Sequence, residues 1–483
     1  MLYLLLIFFP ISMAFSIFLL RRLPRIAVSL AIGTLVIELF LAMQVRVDDP
    51  IRVLGVTLLL SPLHQIFLFL FLSIGIVTLI AALLFPHGEN FSATGLLIIA
   101  QTVAILVMQD SFVTALVLVA MGLTAVLAIV DLPVGAGVLI SRQTLVAALK
   151  YLVLMVIAGI LLYAAYVLTD IFRPGELPGR ISPARFILAL LAAGFALRMA
   201  LTPFHTWLVD LVGYVGSLAA VLIIALPIPA SLLVFLLTLQ SFPTLIFEGG
   251  QALDVLRIGA AVSALLAAAL ALTASTLRQR IAYLITSHCG IIFYSFASLS
   301  LAGLSGAMFG VINLALAVTT VLISLEMIEY PTEGPSEPAH TDLLWRRPIA
   351  STGLLGGGLA LIGWLPLPGG TSYLLTLQAA AKAGWGELFV LLIAMILATL
   401  ALVQLTVQYL IGPRTRTPVP ESLLLGETEV DRPPPMRLPR EPWGARWLIG
   451  SLLVTMLIIG IFPSLLLPTI EAAVRSLAVI SAM

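Results

Sequence analysis

The sequence contains a single cysteine, Cys289, and only five histidines spread along its length. One cysteine cannot build a disulfide framework within the chain, and it cannot supply the thiolate set of a zinc or iron–sulfur site. The histidines do not occur in the closely spaced pairs that zinc sites use. We therefore expect neither disulfide bonds nor a metal centre held by this chain.

Charged side chains are also scarce: they make up 10% of the 483 residues, against 61% hydrophobic residues. An ordinary soluble domain is about 25% charged, because polar residues must cover its surface. Lipid removes that requirement, but the backbone must then satisfy its own hydrogen bonds in helices or closed barrels. Unbroken apolar runs such as 66–85 and 447–461 indicate helices, since barrel strands are short and alternate. We expect an all-α polytopic membrane protein.

Several functions are excluded by what is missing. A net charge of +1 offers no basic surface for nucleic acid. The chain has no GxxxxGK[ST] phosphate loop to bind ATP. It also has no soluble segment long enough for a nucleotide or flavin domain. We expect no active site of its own and no cofactor bound by this chain.

Apolar windows along the chain predict about fourteen transmembrane helices. The windows are 1–20, 26–45, 56–85, 93–109, 111–131, 145–168, 184–202, 217–240, 256–276, 280–300, 304–328, 347–363, 385–411 and 445–468. A further apolar segment, 371–384, is too short to span and is predicted to be a half-helix. The first window has no basic residue before it and arginines after it, which favours a retained span over a cleaved signal peptide.

Arginine and lysine are distributed unevenly between the two sets of loops that fourteen spans create. One side receives 15 of these residues and the other receives 8. The positive-inside rule then places both termini outside, in the inner (plasma) membrane of a cell. The polar segment Gly412–Pro442, rich in proline and charge, is predicted to be a cytoplasmic linker on the protein surface.

Two apolar segments are interrupted by proline, which removes a backbone donor and breaks a helix. The first contains Pro203, and the second contains Pro366, Pro368 and two glycines. Non-helical backbone at membrane depth is tolerated where it is buried in protein or lines a hydrated cavity. Broken helices in corresponding halves indicate an inverted-repeat transporter, although ordinary proline kinks would give the same pattern.

The segments around these breaks resemble the antiporter-like subunits of respiratory complex I, Mrp-type cation/proton antiporters and membrane-bound hydrogenases. RMALTPFHTWLVDLVG (198–213) looks like the family's seventh-to-eighth helix signature, and LRQRIAYLITSHCG (277–290) is similar to its AYSSxSHxG segment. Weaker similarities lie at Lys150-Tyr151, taken as the start of the sixth helix, and at 303–313 and 460–473. Together the matches cover about two-thirds of the chain in the family's order.

This resemblance implies fourteen helices with two inverted five-helix repeats, each containing one broken helix. The corresponding divisions are 1–92 for N-terminal helices, 93–240 and 241–411 for the repeats, 412–444 for the linker and 445–483 for the last helix. The implied function is movement of protons or sodium across the membrane, driven by electron transfer in a neighbouring arm of a larger complex.

The residues that carry protons in this family are mostly missing. The resemblance implies a glutamate in helix five and lysines in helices seven and eight. It also implies a lysine or histidine in the tenth to eleventh region and a lysine or glutamate in helix twelve. Ungapped alignment places these positions on Val119, Arg198, Ile228, Val318 and Leu374, and it places a frequent histidine position on Leu314. Only His288 is kept. An arginine stays protonated at any working pH, so Arg198 cannot relay a proton as lysine does. We therefore expect a degenerate ion pathway.

Six residues are candidates for an ion pathway, and each has a structural alternative. They are Arg198, His288, Lys150, Glu38, His205 and Asp110. An ionisable residue inside a membrane indicates function by default. The alternatives are an Arg198 paired with backbone carbonyls or with Asp210, a His288 that packs helices, and a Lys150 that extends to the interface. His205 would cap a freed carbonyl, Asp110 would end a helix, and Glu38 has no evident partner.

The favoured hypothesis is a membrane-arm subunit of a complex I-like, redox-driven proton-translocating complex, acting mainly in structure and coupling. Its partners would be the other membrane-arm subunits and the lipid bilayer; flavin, iron–sulfur clusters and quinone would belong to partner subunits. Three alternatives remain: translocation by a rewired path through the candidate residues, a subunit of a Mrp-type antiporter or inorganic-carbon uptake complex, and an unrelated transporter.

Overall fold

The computed structural model describes residues 2–53, 55–131, 141–171, 183–329, 342–412 and 441–475, without the side chains of 244, 248 and 249. Nearly all of them are helical, which confirms the predicted all-α membrane fold. Most of the predicted linker lies outside the described residues.

The helices follow one another along the chain with short connections. In order they are α1 (Leu2–Leu19), α2 (Pro24–Gln44), α3 (Pro62–Leu84), α4 (Phe91–Val107), α5 (Ser111–Val130), α6 (Arg142–Ile171), α7 (Pro183–Arg198), α8 (Thr206–Tyr214), α9 (Ser217–Ala225), α10 (Pro227–Ser241), α11 (Thr244–Thr273), α12 (Leu277–Ala297), α13 (Leu301–Glu329), α14 (Leu343–Arg346), α15 (Pro348–Leu361), α16 (Pro368–Ala383), α17 (Trp385–Leu405), α18 (Trp443–Ile461) and α19 (Leu467–Arg475). A π-helical turn, Thr406–Ile411, continues α17, and a 3-10 turn, Pro463–Leu465, precedes α19.

One small sheet interrupts the helical order. Strands β1 (Ile51–Val53) and β2 (Val56–Leu58) pair antiparallel through Arg52 and Thr57. The predicted window 56–85 is therefore too long at its start, because α3 begins only at Pro62. Proline at the first helical position suits a helix start, since its missing N–H has no partner there.

Ten helical stretches of the described residues are long and apolar enough to cross a membrane, judged by length and composition. Two shorter apolar helices, α4 and α15, accompany them. Three pairs of consecutive helices are separated by a break beside a proline: α7 and α8, α9 and α10, and α15 and α16. Of these, only α9 and α10 divide a single predicted window, because α8 lies beyond the window 184–202 and α16 beyond the window 347–363. The division of the window 217–240 was not predicted; it occurs at Leu226, directly before Pro227. The predicted half-helix 371–384 corresponds to α16.

The core of the molecule is formed by α13 and by the α9–α10 pair, whose apolar windows are completely buried. Helix α13 packs against α3, α9, α12, α15, α16 and α18. Around this core, α1, α2, α6, α11, α17 and α18 expose large apolar side chains, among them Phe8, Ile160 and Trp385. Such a surface is stable only in lipid, which agrees with a multi-pass membrane protein.

Candidate functional site

The first helix break lies between α7 and α8, at the predicted Pro203. Helix α7 ends at Arg198 and α8 begins at Thr206. The two pieces remain joined because the indole Nε1 of Trp207 donates to the carbonyl of Leu197 at 3.0 Å. The backbone N–H of Thr202 donates to the hydroxyl of Ser263 in α11 at 2.8 Å. The break is therefore held by defined hydrogen bonds and is more than a simple kink.

The second break, between α15 and α16, has a similar construction. Helix α15 ends at Leu361, and the hydroxyl of Tyr373 in α16 donates to the Leu361 carbonyl at 2.9 Å. Gly363 has a φ of +80°, and a Cβ there would lie 2.4 Å from the Tyr373 ring. Only glycine fits this position without strain. In both breaks an aromatic side chain of the second helix caps a carbonyl at the end of the first.

Arg198 lies at the first break and is 2% exposed. Its Nε donates to the hydroxyl of Ser231 in α10 at 3.0 Å, and its Nη2 donates to the carbonyl of Leu118 in α5 at 3.0 Å. Nη1 is buried with no hydrogen-bond partner among the described residues. Arg198 thus pairs with a backbone carbonyl, as one alternative predicted, but that carbonyl belongs to α5.

The predicted pairing of Arg198 with Asp210 is wrong, because Asp210 forms an ion pair with Lys150 of α6. Lys150 lies in the third turn of α6, which begins at Arg142, so the prediction that Lys150 opens its helix is also wrong. The ion pair fastens α8, the second piece of the broken helix, to α6. Both side chains are partly exposed. Asp210 lies two residues before Val212, whose carbonyl accepts a hydrogen bond from Arg278.

Apart from Arg198, the aligned positions expected to hold lysine or glutamate proton carriers are apolar. Val119 contacts α6, since a Cβ at Gly159 would lie 3.0 Å from its Cγ2. Ile228 and Val318 are buried in the core. Leu374 is 51% exposed and faces outward. The position aligned with the family's helix-twelve proton carrier therefore does not lie inside the protein. The buried side chains of that turn are Tyr373 and Thr376.

His288, in α12, is completely buried beside the second break. Its Nε2 lies 3.1 Å from Nδ2 of Asn313 and 3.3 Å from the carbonyl of Gly310, both in α13. Its Nδ1 lies 3.4 Å from the hydroxyl of Tyr373, and the two rings are stacked 5.6 Å apart. Asn313 and Tyr373 were not predicted as site residues, although Asn313 is a polar residue within a long apolar run.

The remaining candidates occupy separate places. Asp110 caps α5 through the N–H of Val113 at 2.9 Å, as predicted. His205 lies at the start of α8 with its ring near Tyr283, and its Nδ1 has no partner among the described residues. Glu38 in α2 is completely buried, and neither of its carboxyl oxygens has a hydrogen-bond partner among the described residues. The structure therefore does not bring the six candidates together into one site.

A charged cluster that links α8 and α9 to α12 and α13 was also missed. Arg278 of α12 donates to the carbonyls of Val212 and Val215 at the end of α8, at 2.7 and 3.1 Å. It also forms an ion pair with Glu329 of α13. Glu326 of α13 accepts from the N–H of Ser217 at the start of α9 at 3.2 Å. The sequence did contain an indication of this cluster, because Glu326 and Glu329 end an otherwise apolar helix.

A second charged cluster lies at the opposite end of α12. Arg257 of α11 binds both carboxyl oxygens of Glu387 in α17, at 2.9 and 3.0 Å. The hydroxyl of Tyr294 donates to the same carboxylate at 2.7 Å. No group of three metal-binding side chains occurs within the described ranges.

The sequence and the fold, with its two broken helices and buried charged groups, can be compared with those of known proteins. A sequence profile of the transmembrane family described as NADH:quinone oxidoreductase/Mrp antiporter matches residues 114–400, well over half of the chain. The chain belongs to this family. The resemblance inferred from the sequence is thereby confirmed.

Relatives within the NADH:quinone oxidoreductase/Mrp antiporter family are distant. NADH-quinone oxidoreductase subunit N 2 of Syntrophobacter fumaroxidans is 28% identical over 62% of this chain and 60% of that protein. NADH-quinone oxidoreductase subunit 14 of Thermus thermophilus is 29% identical over 68% of this chain and 70% of that protein. The match thus spans 60% to 70% of the length of these two curated relatives.

The similarity in structure covers nearly the whole chain. A chain of the membrane-bound sulfane sulfur reductase, an archaeal respiratory membrane complex, is similar with a TM-score of 0.82. The sequence identity is 18%, and the match covers 99% of this chain and 98% of that chain. At this identity the likeness shows a shared fold of polytopic membrane helices.

Proposed function

We propose that this protein is an antiporter-like membrane-arm subunit of a complex I-like, redox-driven proton-translocating complex. Membership of the family and the subunit N and subunit 14 relatives support this proposal. The chain itself would bind no cofactor. Flavin, iron–sulfur clusters and quinone would be bound by partner subunits, and neighbouring membrane-arm subunits would cover part of its apolar surface.

The functional proposal rests mainly on the permanent charge and the fixed position of Arg198. A permanently charged guanidinium is fixed by two hydrogen bonds at the first break. The positions where the family has a helix-five glutamate and a helix-eight lysine are apolar residues in this chain, Val119 and Ile228. A proton relay needs groups that gain and lose a proton near the working pH. We infer that the chain acts mainly in structure and electrostatic coupling.

We also propose the membrane topology. Adding α4, α12 and the divided pairs α7–α8 and α15–α16 to the ten apolar stretches gives fourteen crossings. The broken helix then comes fourth in each of two five-helix groups, α4 to α10 and α11 to α17. These groups support the divisions 93–240 and 241–411, with both termini outside the plasma membrane.

An alternative is a subunit of a Mrp-type cation/proton antiporter or of an inorganic-carbon uptake complex without electron transfer. The family description, which includes Mrp antiporters, supports it. Purification of the tagged full chain from native membranes, followed by mass spectrometry of the accompanying chains, distinguishes the two. Iron–sulfur and flavin proteins in stoichiometric amounts are expected. Accompanying antiporter subunits without any redox protein would contradict the proposal and support the alternative.

A further inference from the structure

A groove on the lipid-facing surface runs between α1, α4 and α5. Its volume is about 530 Å³. Helix α4 packs against both other helices and forms the floor, while α1 and α5 form the walls. Phe15 and Leu127 of the walls are 68% and 62% exposed, so an apolar occupant from the surrounding lipid fits this groove. The apolar lining includes Ile11, Phe15 and Phe18 of α1, Ala93 and Leu97 of α4, and Leu127 of α5.

One end of this groove is polar and is formed by Asn90, Thr94 and Asp131. Asp131 directly follows α5, and Asn90 directly precedes α4. The backbone N–H of Asn90 donates to Oδ2 of Asp131 at 2.9 Å, and its Nδ2 donates to Oδ1 at 3.1 Å. A carboxylate offers about four acceptor positions, so each oxygen of Asp131 can accept a further hydrogen bond.

The carboxylate of Asp131 lacks a compensating positive charge. It forms no ion pair within the ranges that the structure describes. Burial raises the pKa of this carboxyl, and the nearby Glu89 adds like-charge repulsion in the same direction. A cation beside the carboxyl would favour its ionised form. This end of the groove therefore suits a positively charged group and disfavours an anion.

The α1 side of the same end carries positive charge. The guanidinium of Arg21 lies over the ring of Phe18, with its Cζ 4.8 Å from the ring centroid. Arg21 forms no ion pair with a described side chain, and the next residue, Arg22, is exposed. Guanidinium groups bind phosphate through paired N–H donors. The groove thus ends between a cation beside α1 and an anion at the end of α5.

We infer that this groove binds one phospholipid with a primary ammonium headgroup, of the phosphatidylethanolamine class. An acyl chain lies along Ala93 and Leu97, the phosphate lies at Arg21, and the ammonium donates to Asp131. A primary ammonium has three N–H donors, whereas a choline headgroup has none and a glycerol headgroup has no positive charge. In the proposed topology this lipid belongs to the inner leaflet. The inference goes beyond the proposed function and applies to any complex that the chain joins.

Lipid competition on the purified full chain, together with its accompanying partners, tests the inference. The protein is washed in detergent until its bulk lipid is removed, and mass spectrometry then counts the phospholipids that remain per chain. We expect a retained phosphatidylethanolamine. Dioleoyl phosphatidylethanolamine should occupy the groove at a concentration about tenfold lower than the phosphatidylcholine or phosphatidylglycerol with the same chains, because only its headgroup forms the charged hydrogen bond.

Two variants and two controls locate the lipid. Asp131→Asn removes the charge but keeps an acceptor for Asn90, and it should abolish most of the preference for the ethanolamine headgroup. Ala93→Phe fills the floor of the groove and should remove one phospholipid per chain. Ala120→Phe and Asp170→Asn are the matched controls, because both residues are exposed and neither lines the groove. They should retain the lipid and its headgroup preference.

A photoreactive maleimide attached to Leu127→Cys identifies the occupant of the groove. Cys289 is buried and should not react. We expect a cross-link to a phospholipid, reduced in Ala93→Phe. A cross-link to a protein chain instead would show that the groove is a protein contact and would overturn the inference.

The lipid measurements can contradict the inference in three further ways. These are equal retention of the three headgroups, a preference for phosphatidylglycerol, and an unchanged lipid content in Ala93→Phe. If Ala93→Phe does not fold, the headgroup competition on the unchanged chain and the cross-link still decide the outcome.

Discussion

Arg198 shows how far a single residue can be interpreted from sequence. Its position at the first break and its permanent charge were predictable, because the surrounding motif locates it. Its partners were not, since Leu118 and Ser231 are 80 and 33 residues away along the chain. The same limit applies to Lys150, whose partner Asp210 was instead assigned to Arg198. Side-chain pairing depends on helix packing, which the sequence does not reveal directly.

Substitution of Arg198 tests whether its role is structural. Arg198→Lys keeps a charge and can donate to Leu118 or Ser231, so we expect the complex to assemble. Arg198→Ala leaves both acceptors without their donor in the core, at a cost of about 3 kcal/mol, and should reduce assembly. The measurement is the amount of intact complex on native gels from matched membranes. Full assembly of the alanine variant would contradict a structural role.

Gly369, at the start of α16, tests the packing of the second break. A Cβ at this position would lie 1.9 Å from the Ala360 carbonyl and 3.1 Å from Nδ2 of Asn313. Gly369→Ala should therefore destabilise the protein by about 2 kcal/mol or more, measured as a lower thermal unfolding midpoint of the purified protein. Gly450→Ala in α18 is the control, because nothing lies within 4 Å of its added Cβ. It should be neutral or slightly stabilising.

At the scale of helices, proline patterns predicted two of the three breaks. Pro203 and Pro366 lie in segments that also contain polar or glycine residues, which marks them as breaks. The division at Pro227 was missed because the flanking residues are uniformly apolar, and periodicity cannot locate a break within such a run. The short sheet of β1 and β2 was missed for a similar reason, since three-residue strands carry too little pattern.

Arg278 of α12 holds the end of α8 and pairs with Glu329 of α13. Arg278→Met removes its hydrogen bonds to Val212, Val215, Ser217 and Glu329 and leaves Glu329 without its cation. Removing one partner of a largely buried ion pair costs about 3 kcal/mol or more. We expect a clearly lower thermal midpoint of the purified protein.

Arg475→Met is the matched control for Arg278, because Arg475 forms an exposed ion pair with Glu471 within α19. Exposed pairs contribute about 1 kcal/mol or less. Similar losses of stability in the two variants would show that the contacts of Arg278 with α8 and α13 do not stabilise the protein.

For the whole molecule, composition and the long unbroken apolar runs were enough to predict a polytopic helical membrane protein. The low charge and high apolar content indicate a membrane protein, and the unbroken runs favour helices over a barrel. The family could be inferred because two specific motifs occur in the right order. The proposed orientation rests on the distribution of basic residues, and it can be measured directly since Cys289 is buried and gives no labelling background.

Single cysteines at exposed positions test the orientation. Arg475→Cys should react with a membrane-impermeant maleimide in intact cells, because α19 is proposed to lie outside. Ser141→Cys, at the start of α6, should react only after the membrane is made permeable. The opposite labelling pattern would contradict the proposed topology.

We propose that this chain has lost the lysine and glutamate proton path of its family and that it supports its complex through structure and electrostatic coupling. The most direct test is the number of protons moved per electron by the purified complex in sealed vesicles, with Arg198→Lys compared to the unchanged chain. We expect equal proton-to-electron ratios in fully assembled complexes. A lower ratio in Arg198→Lys, with normal assembly and electron transfer, would show that Arg198 takes part in translocation and would contradict the account.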